Sequence, residues 1–207
     1  MPSKANPGEQ TEFLKDKLLP LIECAKNGAI ELFFMDAAHF VMGGFAGRVW
    51  SVVRKFVRTA SGRKRFNVLG ALNFVSKKIE TVVNDSYITS VQVVELLTNL
   101  AKSYTKPIKI ILDNVRYQRC SLVIEKAAEL GIELVFLPTY SPNLNLIERV
   151  WKFVKSKVLN SVYHETFEKF CDSIYGCINT LHEVCHDEMM SSITENFHIV
   201  DQSNIIA

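Results

Sequence analysis

Three acids set far apart in the chain, Asp36, Asp113 and Glu148, have the types and settings to do chemistry. Asp36 closes the apolar run IELFFMD (30–36), and Asp113 closes a second run, IKIILD (108–113). Glu148 follows a third run, IELVFL (132–137), at the rim of a helix. Each acid alone has a bland reading. Asp113 or Asn114 can cap the next helix, and Glu148 can pair with Lys152 one turn on for a few tenths of a kcal/mol. Taken together they point elsewhere, because carboxylates gathered at one edge repel one another unless cations neutralise them. Donors that are all oxygen select hard divalent ions such as Mg²⁺ or Mn²⁺.

The elements that must position these acids follow from periodicity. Runs 108–114 and 132–137 read as strands. Between them, 116–130 carries Cys120, Val123, Ile124, Ala127 and Ala128 at helical spacing, with Gly131 as a stop. The result is a βαβ unit with parallel strands, and open α/β sheets bind ligands at the carboxyl ends of such strands. In LPTYSPNLNLIERVWKFVKSK (137–157) Ser141 is an expected N-cap and Pro142 the first helical residue. Leu144, Ile147, Trp151, Val154 and Val158 then form one apolar stripe, with Glu148 on its border.

Upstream, 30–36 reads as a strand ending on its acid, and 37–65, with Gly43, Gly44 and Gly47, as a long excursion of some hairpin character lying over the active edge. Runs 66–74 and 78–84 predict an antiparallel pair turning at Ser76 and Lys77. A helix from Thr89 or Ser90 to about Tyr104 turns Val93, Val94, Leu97, Leu100 and Ala101 inward. Residues 1–11 read as a leader without chemistry and 12–26 as a packing helix kinked at Pro20 and stopped at Gly28, while helices over 167–183 and 187–197 close the chain. The expected organisation is a leader and packing helix (1–28), a core (29–165) with a basic insertion (37–65), and C-terminal helices (166–207) packed on the same domain.

Charge is more informative than composition. The 207 residues are 48% hydrophobic and formally +2, with no apolar run of membrane-spanning length and no signal-peptide core near the start. A cytoplasmic protein with reduced cysteines is the expectation. Yet 37–65 holds seven basic residues, Arg48, Arg54, Lys55, Arg58, Arg63, Lys64 and Arg65, and no acid. Arg149, Lys152, Lys155 and Lys157 form a second acid-free cluster beside Glu148, whereas 165–207 carries eight acids against the single Lys169. Such asymmetry beside candidate acids points to a polyanion, nucleic acid foremost. Cys171, Cys177, Cys185, His182 and His186 lack the paired C-x₂-C spacing of a structural zinc site.

Three strands, then helix, strand, helix, strand and helix, with acids ending the first and fourth strands and following the fifth, is the order of the α/β ribonuclease H-like fold, a five-stranded mixed sheet flanked by helices. The motifs FFMDAAHF (33–40), ILDNVRYQ (111–118) and LPTYSPNLNLIERVWKFVK (137–155) resemble those of DDE transposases of the mariner-like superfamily, in its bacterial insertion-sequence branch. The likeness runs from about residue 12 to beyond 190, and the 34 residues between Asp113 and Glu148 are typical of that group.

By resemblance, Asp36, Asp113 and Glu148 are the catalytic and metal-binding triad for two Mg²⁺ or Mn²⁺ ions. Asp36 would bridge the ions, with Asp113 on one and Glu148 on the other. The resemblance implies strand cleavage at transposon ends followed by strand transfer to target DNA. Arg48, Arg54, Lys55, Arg58, Arg63, Lys64, Arg65, Arg149 and Lys152 would contact double-stranded DNA, and His39, Asn114 and Asn145 would support the acids. His39 also reads as a plain structural histidine, and both asparagines as turn or capping residues. A homodimer in the synaptic complex and a separate helix-turn-helix module for end recognition are further implications, with a bacterial cytoplasm as the setting, on the nucleoid when DNA is bound, and no membrane partner. The sequence departs from many relatives in placing Ala37, not a second acid, after Asp36. A ribonuclease H-type nuclease or resolvase and an inactive, domesticated DNA-binding protein are the alternatives.

Overall fold

A computed structural model describes residues 5–43, 52–53, 56, 64–160, 162–181, 193, 196–197 and 199. Asn6 opens the first helix: its side chain accepts from the backbone N–H groups of Gly8 and Glu9 at 3.0 and 3.4 Å. With Pro7 in the first turn, helix α1 therefore spans Pro7–Phe13, earlier than the apolar periodicity placed it. A π-helical turn at Leu14–Leu18 joins it to α2 (Leu19–Lys26). Pro20, which lacks an N–H to donate, is the second residue of α2, one residue past that widened turn. Gly28, at φ +73, ends the helix as expected.

Five strands follow, β1 (Glu31–Met42), β2 (Lys64–Asn73), β3 (Ile79–Asn84), β4 (Ile108–Leu112) and β5 (Ile132–Phe136). They form one mixed sheet in the order β3-β2-β1-β4-β5. The β3-β2-β1 half is antiparallel and the β1-β4-β5 half parallel. Strand β1 corrects one expectation. It does not stop at Asp36 but continues to Met42, paired with β2 as far as Met42 opposite Lys64. Ala38 and Phe40 are buried on one face of that extension, so this part of the expected excursion is a two-stranded ribbon.

Helices cover both faces. Leu32, Phe34, Ala38 and Phe40 of β1 pack toward α1–α2, α5 (Ile147–Val158) and α6 (Phe167–Thr180). Phe33 and Met35 pack the other way, against α3 (Ser90–Ser103) and α4 (Ser121–Glu129). Thr89 and Gln92 close a capping box on α3. Helix α4 begins five residues later than its periodicity predicts, leaving 116–120 as a turn, and Ile124 is exposed. Helix α5 also begins late. Pro142–Leu144 is a 3₁₀ turn, Asn145 is extended, and Ser141 makes no side-chain cap. Helix α6 packs beside α5 through Phe170, Ile174 and Ile178, and the helix expected over 187–197 lies almost wholly outside the described residues. Among the described residues no helix is long and apolar enough to cross a membrane.

Candidate active site

The sheet brings the first two acids together. Parallel pairing of β1 with β4 ends at Met35 opposite Leu112, so Asp36 and Asp113 are the next residues on each strand. Alternation places both side chains on the face covered by α5, with Ile111 and Phe34 one pair below. Asp36 also lies opposite Gly70 of β2 and is held within the antiparallel ladder. Glu148, the second residue of α5, arrives above the same edge.

Electrostatics show that the three are neighbours. The Asp36 carboxyl is pushed up to about 8, first by burial, then by Glu148, then by Asp113, against the pull of the Ala37 N–H and of Lys155. Burial also raises Asp113, opposed by a hydrogen bond from Asn145. Glu148 is raised by burial and then by Asp113, while Lys155 and Lys152 pull it down. Tyr117, in the turn after β4, is pushed up to about 12 by burial and by Asp36 and Asp113, so its phenol stays protonated beside them. Gln118 Nε2 donates to that hydroxyl at 3.3 Å.

Asn145 ties Asp113 to the sheet. Its buried Nδ2 donates to the Met35 carbonyl at 3.1 Å and reaches Asp113 Oδ1 at 3.5 Å. Its Oδ1 is buried and without a partner among the described residues. A carboxyl driven to about 8 and an unmatched buried carbonyl oxygen make a cation-seeking, oxygen-only donor set that fits Mg²⁺ or Mn²⁺. The acids are not drawn into a closed cage: among the described residues no group of three His, Cys, Asp or Glu stands close enough to hold a metal ion. Beside Asp113 a cleft of about 460 Å³ opens, walled by Asn114, Val115 and 138–142, where Tyr140 sits half-exposed at φ +59.

The other expected residues fare differently. His39 lies three residues beyond Asp36 on a strand and so faces the opposite side of the sheet, where its Nδ1 meets Asn67 Oδ1 at 2.6 Å. It is therefore not a support for the acids. Asn114 accepts from Arg119 Nη1 at 3.0 Å. Arg48, Arg54, Lys55, Arg58 and Arg63 lie outside the described residues, while Lys64 and Arg65 are exposed at the outer end of the β1–β2 ribbon. Arg149 is partly buried: it donates to the Asn196 carbonyl at 2.7 Å and lies over the Phe197 ring. Lys152 is exposed beside Glu148. Lys155 and Tyr117 were not singled out as site residues. Spacing carried a signal for Lys155, since positions 148, 152 and 155 share one helical face.

Over residues 31–171 the sequence matches the DDE superfamily endonucleases, and the chain belongs to that family. Its fold is that of ribonuclease H-like catalytic cores. Solved structures similar to it include the Mos1 transposase paired-end complex with left transposon end (TM-score 0.62, 12% identity, covering 96% of this chain and 66% of that one). The Mos1 strand transfer complex matches likewise (TM-score 0.59, 14% identity, 96% and 65%). A simian T-cell lymphotropic virus intasome in complex with PP2A regulatory subunit B56 gamma matches over 74% of this chain and 49% of that one (TM-score 0.51, 15% identity). The chain thus spans about two thirds of the transposase chains and half of the intasome chain. No curated protein sequence matches it significantly.

Proposed function

We propose that this chain is the catalytic domain of a divalent-metal-dependent DNA transposase, with Asp36, Asp113 and Glu148 as its catalytic acids. The observation that carries this is the convergence of the three carboxyls, from a mid-strand position, a strand end and a helix start, at one sheet edge, where Glu148 and Asp113 raise the Asp36 carboxyl and Asp113 raises that of Glu148. Asp36 is held by the β-ladder, Asp113 by Asn145, and Glu148 by the first turn of α5. When bound there, a pair of Mg²⁺ or Mn²⁺ ions supplies charge neutralisation to both the attacking and the leaving oxygen of an in-line displacement at phosphorus. Lys152 and Lys155, on the same face as Glu148, offer positive charge to a phosphate backbone entering over the acids. The protonated Tyr117 hydroxyl can donate a hydrogen bond at the same edge.

Double-stranded DNA, both transposon end and target, is the proposed substrate, with two copies of the protein joining two ends and a separate helix-turn-helix module supplying end recognition. The Mos1 complexes support this by their fold, and the basic run 48–65 by its charge. The proposed organisation is the core 29–165 with its flanking helices, in an insertion-sequence protein of the bacterial cytoplasm. The test is a nicking and strand-joining assay on duplex DNA in Mg²⁺ or Mn²⁺, with an RNA–DNA hybrid as competing substrate. Cleavage of duplex DNA that is lost in Asp113→Asn is expected. Cleavage that survives that substitution rejects the site, and cutting confined to the hybrid rejects the transposase.

A further inference from the structure

Taking Asp36, Asp113 and Glu148 as the cation-holding acids, as proposed above, we infer that Gly70 and Trp151 are a pair of positioning residues whose contact sets how closely Glu148 approaches Asp36. Gly70 lies directly opposite Asp36 in the β1–β2 register, so the two present the same face to α5. Its φ is outside the left-handed region, and chain direction gives no reason for glycine there. The close approach of α5 does. A Cβ at position 70 would stand 2.7 Å from both Cζ2 and Cη2 of Trp151 and 3.2 Å from Cδ1 of Ile147.

The indole is not free to yield. Trp151 is almost wholly buried, and Phe40 meets its ring edge-on with centroids 6.4 Å apart. Phe40 also lies under the Lys155 ammonium, so the side chain beneath α5 touches it at two successive turns. The Trp151 Nε1 is buried without a hydrogen-bond partner among the described residues. The indole therefore serves here by its flat extent, seated in the notch that the missing Cβ leaves.

Ile147, Glu148 and Trp151 belong to one helical turn, which moves as a unit. Whatever fixes the height of the indole above β2 therefore fixes the height of Glu148 above β1. A methyl group at position 70 would either lift this turn or drive the indole off its rotamer. Lifting carries Glu148 away from Asp36. Metal sites tolerate ligand errors of only about 0.2 Å, so the divalent-ion affinity of the acids would register the change before the fold does.

The experiment is a double-mutant cycle of Gly70→Ala and Trp151→Phe in the full chain. Three readouts are taken: Mn²⁺ affinity by titration of the DNA-free protein with electron paramagnetic resonance detection, thermal unfolding in chelator, and nicking of supercoiled plasmid in Mg²⁺. Gly70→Ala is expected to weaken Mn²⁺ binding about tenfold and to slow nicking by up to about a hundredfold, the order that a 1 Å misplacement costs. Adding Trp151→Phe, which removes the two atoms nearest the new methyl, is expected to restore both to within a few-fold. Equal Mn²⁺ affinity in wild type and Gly70→Ala overturns the inference. So does a loss of thermal stability with no recovery of Mn²⁺ binding in the double variant, which marks Gly70 as packing only. Should Gly70→Ala fail to fold, Trp151→Phe alone is compared with the double variant: Mn²⁺ affinities within a few-fold of each other are expected, and a tenfold weaker affinity in the double variant, where the clashing atoms are gone, overturns the inference. Asp113→Asn separates this from the site assignment, because unchanged Mn²⁺ binding in that variant sinks the triad itself.

Discussion

Lys155 stands two turns beyond Glu148 on α5, and its ammonium pulls down the carboxyls of both Glu148 and Asp36. A helix thus carries one of the proposed catalytic acids and a positive charge that offsets it on one face. The same residue rests over the Phe40 ring of β1, which keeps the ammonium near the acids.

The first prediction follows from that pair. Lys155→Met should raise the Asp36 carboxyl further in the metal-free protein, read by ¹³C carboxyl titration, and should lower DNA cleavage about tenfold, in keeping with the loss of one charged contact. An unmoved Asp36 titration would show that Lys155 does not face it.

Asp36 also makes stability depend on pH. Its carboxyl goes from the ordinary 3.8 to about 8 on folding, so the native state binds a proton that the unfolded chain has released. Stability is therefore fullest below pH 3.8 as far as this group is concerned, falls as pH rises between the two values, and levels off above about 8. In chelator, Asp36→Asn should be more stable than wild type at pH 8.5 by on the order of a few kcal/mol, with the gap closing toward pH 4. Urea unfolding at several pH values checks this, and parallel curves for the two proteins would contradict it.

Divalent ions should reverse that penalty. Mg²⁺ or Mn²⁺ should stabilise wild type at pH 8 by about 3 kcal/mol at a hundredfold excess over the dissociation constant, read as a higher melting temperature, and should leave Asp113→Asn nearly unchanged. Differential scanning calorimetry gives the answer directly.

His39 offers a contrast. Because it faces away from Asp36 and pairs with Asn67, His39→Ala should leave cleavage within about twofold while costing about 1 kcal/mol of stability from the lost hydrogen bond. A collapse of cleavage without loss of stability would place the imidazole in the chemistry after all.

Gln10 reaches the site from the other end of the chain. It is buried on α1, donates to the Tyr140 carbonyl at 3.4 Å and accepts from Asn143 Nδ2 at 3.0 Å. Gln10→Ala should cost roughly 1–3 kcal/mol and speed amide exchange across 138–146. Exchange unchanged in that loop would show that the helix does not brace it.

The strands that set the places of the three acids were legible in the sequence because each is an apolar run whose period is local. What escaped depended on distant partners. The course of β1 past Asp36 is decided by Lys64 to Asn67, which lie far down the chain and pair with it. The late start of α5 reflects Asn145, whose side chain bonds Met35 rather than capping its own turn. Residues 116–120 have helical periodicity, but Tyr117 and Gln118 are turned inward beside the acids, and α4 can begin only after them. Nor does a run of charge foretell particular partners: nothing near Arg149 in the chain announces its bond to the Asn196 carbonyl.

Asp36 is flanked by β-ladder on either side of its position, whereas Asp113 emerges where its strand ends and Glu148 rides on the opening turn of a helix. The candidate triad therefore combines one acid anchored within the ladder with two carried at element ends, so a substitution in β2 reaches the first through the sheet while the other two answer to the turn after β4 and to the seat of α5.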